Sequence, residues 1–464
     1  MSFASVMTSP NASPSTSRSS RTLAIASLGF FLITLDILIV NVALTRIGRE
    51  FGGSTSGLQW VIDAYTLMFA SLLLFAGNLS DRIGAKRAFG VGIAGFLVAS
   101  VACSLAPSLG VLIAARALQG AAAAIMLPAS MALIREAFPE ARERAHALGI
   151  WAVGGAVAGA VGPVLGGALT TLDWRLVFAI NLPVCVVMLA LLRSVERSSP
   201  RPAPFDPAGQ ATALLTLGGL IFGLIEGGAV GFGSPMVVAS FVLAAASLIA
   251  FLVIQARVRH PMMPLQLFRP RGMRIALVIG FAFMVGNFGT VFVNSLYLQQ
   301  ELGLAPLVAG LVFLPSAAFS IVGNLVSGTL TNRLGVRFPV VLGLVTMVFG
   351  LAILTLAAPL AWPWSVAVGS VFTGLGGSVA MPQVTSVVLT SVPSERAGTA
   401  SAVFNTFRQV GGAVAIAVFG VAIAGPDFVA GMQISFVAAG AVLLVAAVAA
   451  CFIRPRPETS SRIA

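Results

Sequence analysis

Apolar runs of about the length of one membrane crossing follow one another from residue 22 to residue 453, each cut by a short polar or Gly/Pro-bearing stretch. A helix needs about 20 mainly apolar residues to cross a bilayer core. Fourteen stretches qualify: 22–45, 58–79, 88–106, 111–134, 145–171, 174–192, 208–226, 236–256, 274–298, 307–330, 338–357, 364–391, 398–424 and 431–453. An even number puts both chain ends on the same side. The pattern predicts an all-α membrane protein, and it makes each charged residue inside a run conspicuous. "FLITLDILIV" (31–40) holds Asp36, "WVIDAY" (60–65) holds Asp63, and "RALQGAAAA" (116–124) begins with Arg116. Intramembrane charges are costly and are kept where they pair, line a wet pathway or move protons.

The runs repeat. A shift of 251 residues lays Gly29-Phe30 on Gly280-Phe281, Glu50 on Glu301 and Gly52 on Gly303, and "GNLSDRIG" (77–84) on "GTLTNRLG" (328–335). Two parallel copies of a six-helix unit, with a pathway between them, are the major facilitator architecture. The expected organisation is a disordered tail (1–21), an N-terminal bundle (22–193), a linker carrying two extra spans (194–273), a C-terminal bundle (274–453) and a tail (454–464). The copies differ in chemistry. Asp36 falls on Asn287, Asp63 on Leu314 and, after a three-residue shift, Arg116 on Ser370. Titratable groups within the membrane therefore concentrate in the first half, and a proton site is expected there.

Composition agrees: 58% of residues are hydrophobic and 9% charged, against about 25% charged in a soluble domain. The net charge of +12 does not point to nucleic acid, because the basic residues sit in short loops. With the N-terminus inside, 22 of the 27 basic residues fall in inner segments and three (Arg46, Arg49, Arg175) in outer loops. That bias places both termini in the cytoplasm. Cys103, Cys185 and Cys451 stand singly in apolar runs, without the spacing of a disulfide or metal site. His146 and His260 fall in predicted loops, and Asn11-Ala-Ser13 lies in the cytoplasmic tail. The first apolar run is too long for a cleavable signal peptide and lacks its cleavage site.

At 1.5 Å per residue, Asp36 lies about 21 Å from the inner end of its span, and Asp63 and Arg116 about 7–8 Å below the outer surface. All three therefore share one level. Burial favours a protonated carboxyl while a neighbouring arginine favours the ion, so moving the arginine switches the acid and couples a proton to a conformational change. A static Asp–Arg pair that only fixes helix packing is the structural alternative. Arg408 stands mid-span with no acid of its own half nearby, suited to bonding amides such as Asn287 or to approaching a substrate.

At these residues the chain resembles the drug:proton antiporters of the major facilitator superfamily, the branch with fourteen helices. The resemblance spans roughly 22–453, with a closer likeness to methylenomycin-resistance-type members in "WVIDAY", "GLIEGG" and "PMMPLQLF". "GNLSDRIGAKR" (77–87) is similar to the signature loop between helices 2 and 3 and supplies Gly77, Asp81, Arg82, Gly84, Lys86 and Arg87. The resemblance implies that Asp81 docks on a second-half helix near Ser394-Glu395, a latch favoured by the helix dipole. "GAVAGAVGPVLGG" (155–167) resembles the helix-5 antiporter motif: Gly155, Gly159, Gly162, Gly166 and Gly167 offer a small-residue packing face, and Pro163 bends the helix. "LDILIVNVAL" (35–44) and "WRLVFAINLP" (174–183) are similar to the helix-1 and helix-6 motifs. There are departures. Leu38 stands where the branch usually has threonine, Thr45 replaces a final proline, Asn332 replaces the second latch aspartate, and the second half has no acid inside its spans.

The resemblance implies a proton-driven antiporter that exports small hydrophobic drugs or antibiotics across the bacterial inner membrane. Asp36, Asp63 and Arg116 couple protons, and Asn41, Tyr65, Met126, Asn287, Asn294, Gln383, Asn405 and Arg408 line the substrate cavity. The partners are protons, the lipid bilayer and the substrate; no cofactor and no metal is implied, and a monomer is expected. A proton-coupled importer or facilitator of a small metabolite is the alternative, which net uptake would reveal. A membrane enzyme would need a nucleophile–base pair, metal motif or phosphate loop, and the sequence shows none.

Overall fold

The computed structural model of the chain describes residues 16–453 except 197, 199, 201–204, 394 and 395. Among the described residues, thirteen helices are long and apolar enough to cross a membrane, and Leu176–Leu192 is a shorter apolar one. In chain order they are α1 (Thr16–Phe51), α2 (Thr55–Ile83), α3 (Ala85–Ser104), α4 (Leu109–Ala137), α5 (Ala141–Leu172) and α6 (Leu176–Leu192). The extra pair is α7 (Pro207–Val230) and α8 (Pro235–Arg257). The second copy comprises α9 (Arg271–Glu301), α10 (Pro306–Leu334), α11 (Arg337–Leu360), α12 (Pro363–Thr390), α13 (Ala397–Ile423) and α14 (Phe428–Ala450).

Helices are the form in which a backbone satisfies its own hydrogen bonds in lipid, and the ends carry ordinary start signals. Ser54, Ser108, Asp206 and Asp427 cap α2, α4, α7 and α14 by accepting from backbone N–H groups; Pro207, Pro235, Pro306 and Pro363 open α7, α8, α10 and α12. The repeat is visible in the backbone. Gly52 and Gly303 turn at φ +61° and +65°, and Gly84 and Gly335 at +89° and +78°. Each pair is one position of the two copies, and each holds a left-handed φ that favours glycine.

Two expectations change. The N-terminal tail is shorter than predicted: α1 begins at Thr16, and its first turns are held by an Arg18–Glu196 ion pair of 3.1 Å and by Ser19 donating to the Ala137 carbonyl. Asn11 and the rest of both tails lie outside the described residues. His146 sits in the first turns of α5, because that helix starts before the apolar run does.

The two halves meet at the face opposite the termini. There Ser295 donates to the Asn41 carbonyl at 2.9 Å and Gln299 to that of Val42 at 3.0 Å. Gln59 reaches across from α2 to the carbonyls of Ile416 and Ala417 in α13 at 2.9 and 2.8 Å. Gly167 lies against the Pro306 carbonyl and Gly310 against that of Pro163, so α5 and α10 touch backbone to backbone. Toward the termini face, Gly77, Gly149, Gly328 and Gly398 have open space where a Cβ would stand. The bundle is closed at the far face.

The extra helices lie over the α2–α13 seam. Trp60 Nε1 donates to Glu226 of α7 at 2.8 Å, and Gln210 donates to the Ser71 carbonyl at 2.9 Å. Ile221 and Ile225 of α7 pack with Ala413 and Ala417 of α13. α7 therefore grips both halves, an attachment hidden in the sequence because only Glu226 stands out there.

Candidate functional site

The side chain of Asp36 is fully buried, and so is that of Arg116. Arg116 donates from one guanidinium nitrogen to Asp36 Oδ2 at 2.5 Å and to Gln119 Oε1 at 2.8 Å, and its Nε to the Val61 carbonyl at 3.0 Å. Asp36 Oδ1 accepts from Gln119 Nε2 at 2.8 Å and from Asn181 Nδ2 at 2.9 Å. Both amides also donate to Ser100. The guanidinium lies over the Tyr65 ring, 4.4 Å from its centroid. Four helices thus converge on one carboxylate: α1 with Asp36, α4 with Arg116 and Gln119, α3 with Ser100, and α6 with Asn181.

The fold brings them together for local reasons. Arg116 and Gln119 are three apart on one helix face. Gly120 next to them lies directly against the Tyr65 backbone, so α2 and α4 approach closely enough for Arg116 to reach Val61. Every group touching Asp36 is a donor, the pattern of an ionised carboxyl, which only accepts. Gln119, Asn181 and Ser100 were missed in the sequence, although the first two lie inside the quoted motifs. They are lone polar residues in apolar runs, the signal that would have found them.

Asp63 is different. It is fully buried, and neither carboxyl oxygen has a hydrogen-bond partner among the described residues. It lies one turn in from Gln59 on the same face of α2, the face turned toward α13. A buried carboxylate without a donor is strongly disfavoured, which sets Asp63 apart from the donor-rich Asp36. The shared depth estimated from the sequence agrees with the pairing of Asp36 and Arg116; Asp63 makes no hydrogen bond to Arg116.

The expected cavity residues divide. Asn287 is half-buried on a π-helical turn, Val285–Gly289, a distortion that often marks functional positions. Asn294 is fully buried with both side-chain polar atoms unpartnered, and the Asn41 side-chain oxygen is unpartnered as well. Asn405 accepts from Arg408 at 3.2 Å, and Arg408 lies near the rings of Phe283 and Phe404. Asn405, not Asn287, is thus its amide partner. Tyr65 is enclosed beneath Arg116 with its hydroxyl unpartnered. Two residues depart from the expectation. Met126 is buried against Gly92 of α3, and Gln383 donates to Ser327 of α10 at 3.0 Å; both sit in helix–helix contacts on the side facing their own half.

In the signature loop, Asp81 pairs with Arg135 at 3.4 Å, both half-exposed. Ser394 and Glu395, its expected docking point, lie outside the described residues. Gly84 carries the left-handed turn, and Lys86 donates to the Val195 carbonyl. In the helix-5 motif Gly155 packs on Phe30, Gly162 on Leu38 and Gly166 on the Ile39 carbonyl, all on α1, whereas Gly167 and Pro163 meet α10. Gly159 has open space instead of a packing partner. The motif therefore works in two directions: it seats α1 beside the Asp36 cage and closes the far face.

The Major Facilitator Superfamily profile matches residues 26–416. The chain belongs to that superfamily. It is a multi-pass membrane transporter rather than an enzyme. Among relatives of this facilitator are multidrug resistance protein Stp of Mycobacterium tuberculosis, 38% identical over 86% of this chain and 75% of that one. Methylenomycin A resistance protein of Streptomyces coelicolor is 34% identical over 94% and 92%. A crystal structure of the peptide transporter POT in complex with sulfate superposes with a TM-score of 0.71 at 15% identity, over 93% of this chain and 94% of that one. A bacterial homologue of the human lysosomal transporter Spinster, in an inward-facing and unoccupied conformation, gives 0.63 at 19%, over 94% and 97%. At these identities the two structures speak for the fold alone.

Proposed function

We propose that the chain is a proton-driven antiporter that exports small hydrophobic drugs or antibiotics across the bacterial inner membrane, with both termini in the cytoplasm. Relatives named for multidrug and methylenomycin A resistance support the drug-export part. The observation that carries the proton part is the Asp36 cage: a fully buried carboxylate whose contacts are all donors and which is paired with an equally buried arginine.

The cage suits a proton exchanger. With the far face closed, Arg116, Gln119 and Asn181 hold Asp36 as the anion, so a proton brought in from outside has left it. Opening the far face moves α1 and α5 away from α9 and α10 and loosens the cage. A carboxyl that loses donors in a dry site takes up a proton. Protonation frees Arg116 from its ion pair, and return of the helices restores the pair and expels the proton toward the cytoplasm. Asp63, at the α2–α13 seam, is a second exchangeable site on the surface that parts during this motion. Asn41, Asn294, Asn405 and Arg408 supply polar groups to the substrate pathway, and the Asp81 loop latches the cytoplasmic side when it closes.

The test is drug accumulation in cells deprived of their other exporters. The proposal requires lower accumulation of a hydrophobic antibiotic when the chain is made, and loss of that effect with a protonophore. Raised net uptake would instead mark an importer, and export indifferent to the protonophore a facilitator.

A further inference from the structure

The outward end of the first half holds a second constellation, remote from the Asp36 cage. The last turns of α1, the end of α5 and the α5–α6 loop border an open pocket of about 380 Å³. Arg46, Arg49 and Arg175 all line it. These are the three basic residues that the positive-inside distribution leaves on the outer side, so the one departure from that distribution is concentrated in a single recess.

The charges in the pocket are unequal in availability. Arg175 is committed: it donates to both oxygens of Glu50 at 2.7 and 3.0 Å, and Trp174 Nε1 adds a third donor to that carboxylate at 2.5 Å. Asp173, also in the lining, accepts from the Arg175 backbone N–H at 2.9 Å. Both acids are therefore held by the wall. Arg46 and Arg49, three apart on one face of α1, have exposed side chains and no such partner among the described residues. Thr170 belongs to the wall and is 2% exposed, and its buried hydroxyl has no hydrogen-bond partner among the described residues.

We propose that this pocket binds the phosphate oxyanion of an amphiphile, a phosphodiester gripped by Arg46 and Arg49. Guanidinium forks match phosphate oxygens in pairs. The recess is larger than a halide needs, and Leu172 at its rim is 78% exposed, an apolar surface beside the charges. An anionic lipid head group of the outer leaflet supplies this chemistry; free phosphate supplies the anion without the apolar part. Occupancy would bear on the ends of α1 and α5, the helices that close the far face.

The test uses the full-length protein in neutral detergent, with thermal unfolding followed during titration with phosphatidylglycerol, phosphatidylcholine or inorganic phosphate at fixed ionic strength. Phosphatidylglycerol is expected to raise Tm saturably, phosphatidylcholine to do nothing, and Arg46→Gln/Arg49→Gln to shift the midpoint about tenfold upward, the equivalent of one charge-assisted hydrogen bond. Should the double variant fail to fold, Arg49→Lys, which keeps the charge and loses the fork, is expected to show the same direction. A saturable, arginine-dependent response to inorganic phosphate of equal size would keep the anion site and assign it to an aqueous ligand. No response to either anion, or the same response in the variants, would overturn the proposal.

Discussion

Position 36 and its repeat equivalent, position 287, lie on matching helices of one duplicated bundle, yet their surroundings have little in common. Asp36 is sealed on a regular helix and held by an arginine and two amides. Asn287 is half-buried on a π turn that shifts the register of α9. The matching arginine is gone too: Ser370 occupies the position equivalent to Arg116, and its carbonyl accepts from Ser316 and Thr373. Duplication supplied two equal scaffolds; charge was concentrated in one, leaving the other with amides, aromatics and Arg408. The buried ion pair thus belongs to the first half alone, and the closed far face joins the two halves.

The harshest way to break that contrast is Arg116→Ala. It strands Asp36 in a dry site, and removing one partner of a buried pair costs about 3–5 kcal/mol. A large fall in Tm with loss of export is expected, and an unchanged Tm would mean that the pair is not structural. Gly167→Val comes next. Its side chain would collide with the Pro306 carbonyl and the Leu307 backbone, an overpacking of about 1–3 kcal/mol, and crosslinking across the far face should report a less closed protein. Gly159→Ala, in open space, should change stability by less than about 0.5 kcal/mol.

A finer prediction separates the two acids. If Asp63 is neutral in this state, Asp63→Asn preserves shape and charge and costs less than about 1 kcal/mol, so any loss of export beyond that reports on proton movement. A Tm drop as large as that of Arg116→Ala would show Asp63 to be ionised and paired. The smallest effect is expected from Asn287→Ala: proton coupling unchanged, with substrate preference altered. A drug-independent loss of proton movement there would erase the contrast between the halves.

Much of the fold was legible because a bilayer imposes a length on every crossing and the duplication repeats its glycines. The Asp36–Arg116 pair was legible as well, since a lone acid and a lone base at one depth in an apolar medium have strong reason to meet. Gln119 and Asn181 carry the same kind of signal, a lone polar residue in an apolar run, but an uncharged amide costs less than a charge and stands out less beside Asp36 and Arg116. That Met126 and Gln383 contact helices of their own half was hidden for another reason. Their helices are apolar all round and packed by neighbours on several faces, so periodicity does not tell the cavity face from the packing face. The π turn at Val285–Gly289, which packs against α13 and α14, lay equally beyond reach, because the hydrophobic pattern does not mark a change of helical register.

The measurement that bears most directly on the proton role of Asp36 is proton efflux from acid-loaded proteoliposomes on addition of antibiotics and biocides, wild type beside Asp36→Asn. Substrate-triggered efflux in the wild type, absent from Asp36→Asn protein that still folds, is the outcome expected of a carboxyl that carries the exchanged proton. Equal efflux from both would contradict that assignment and leave Asp63 as the coupling acid.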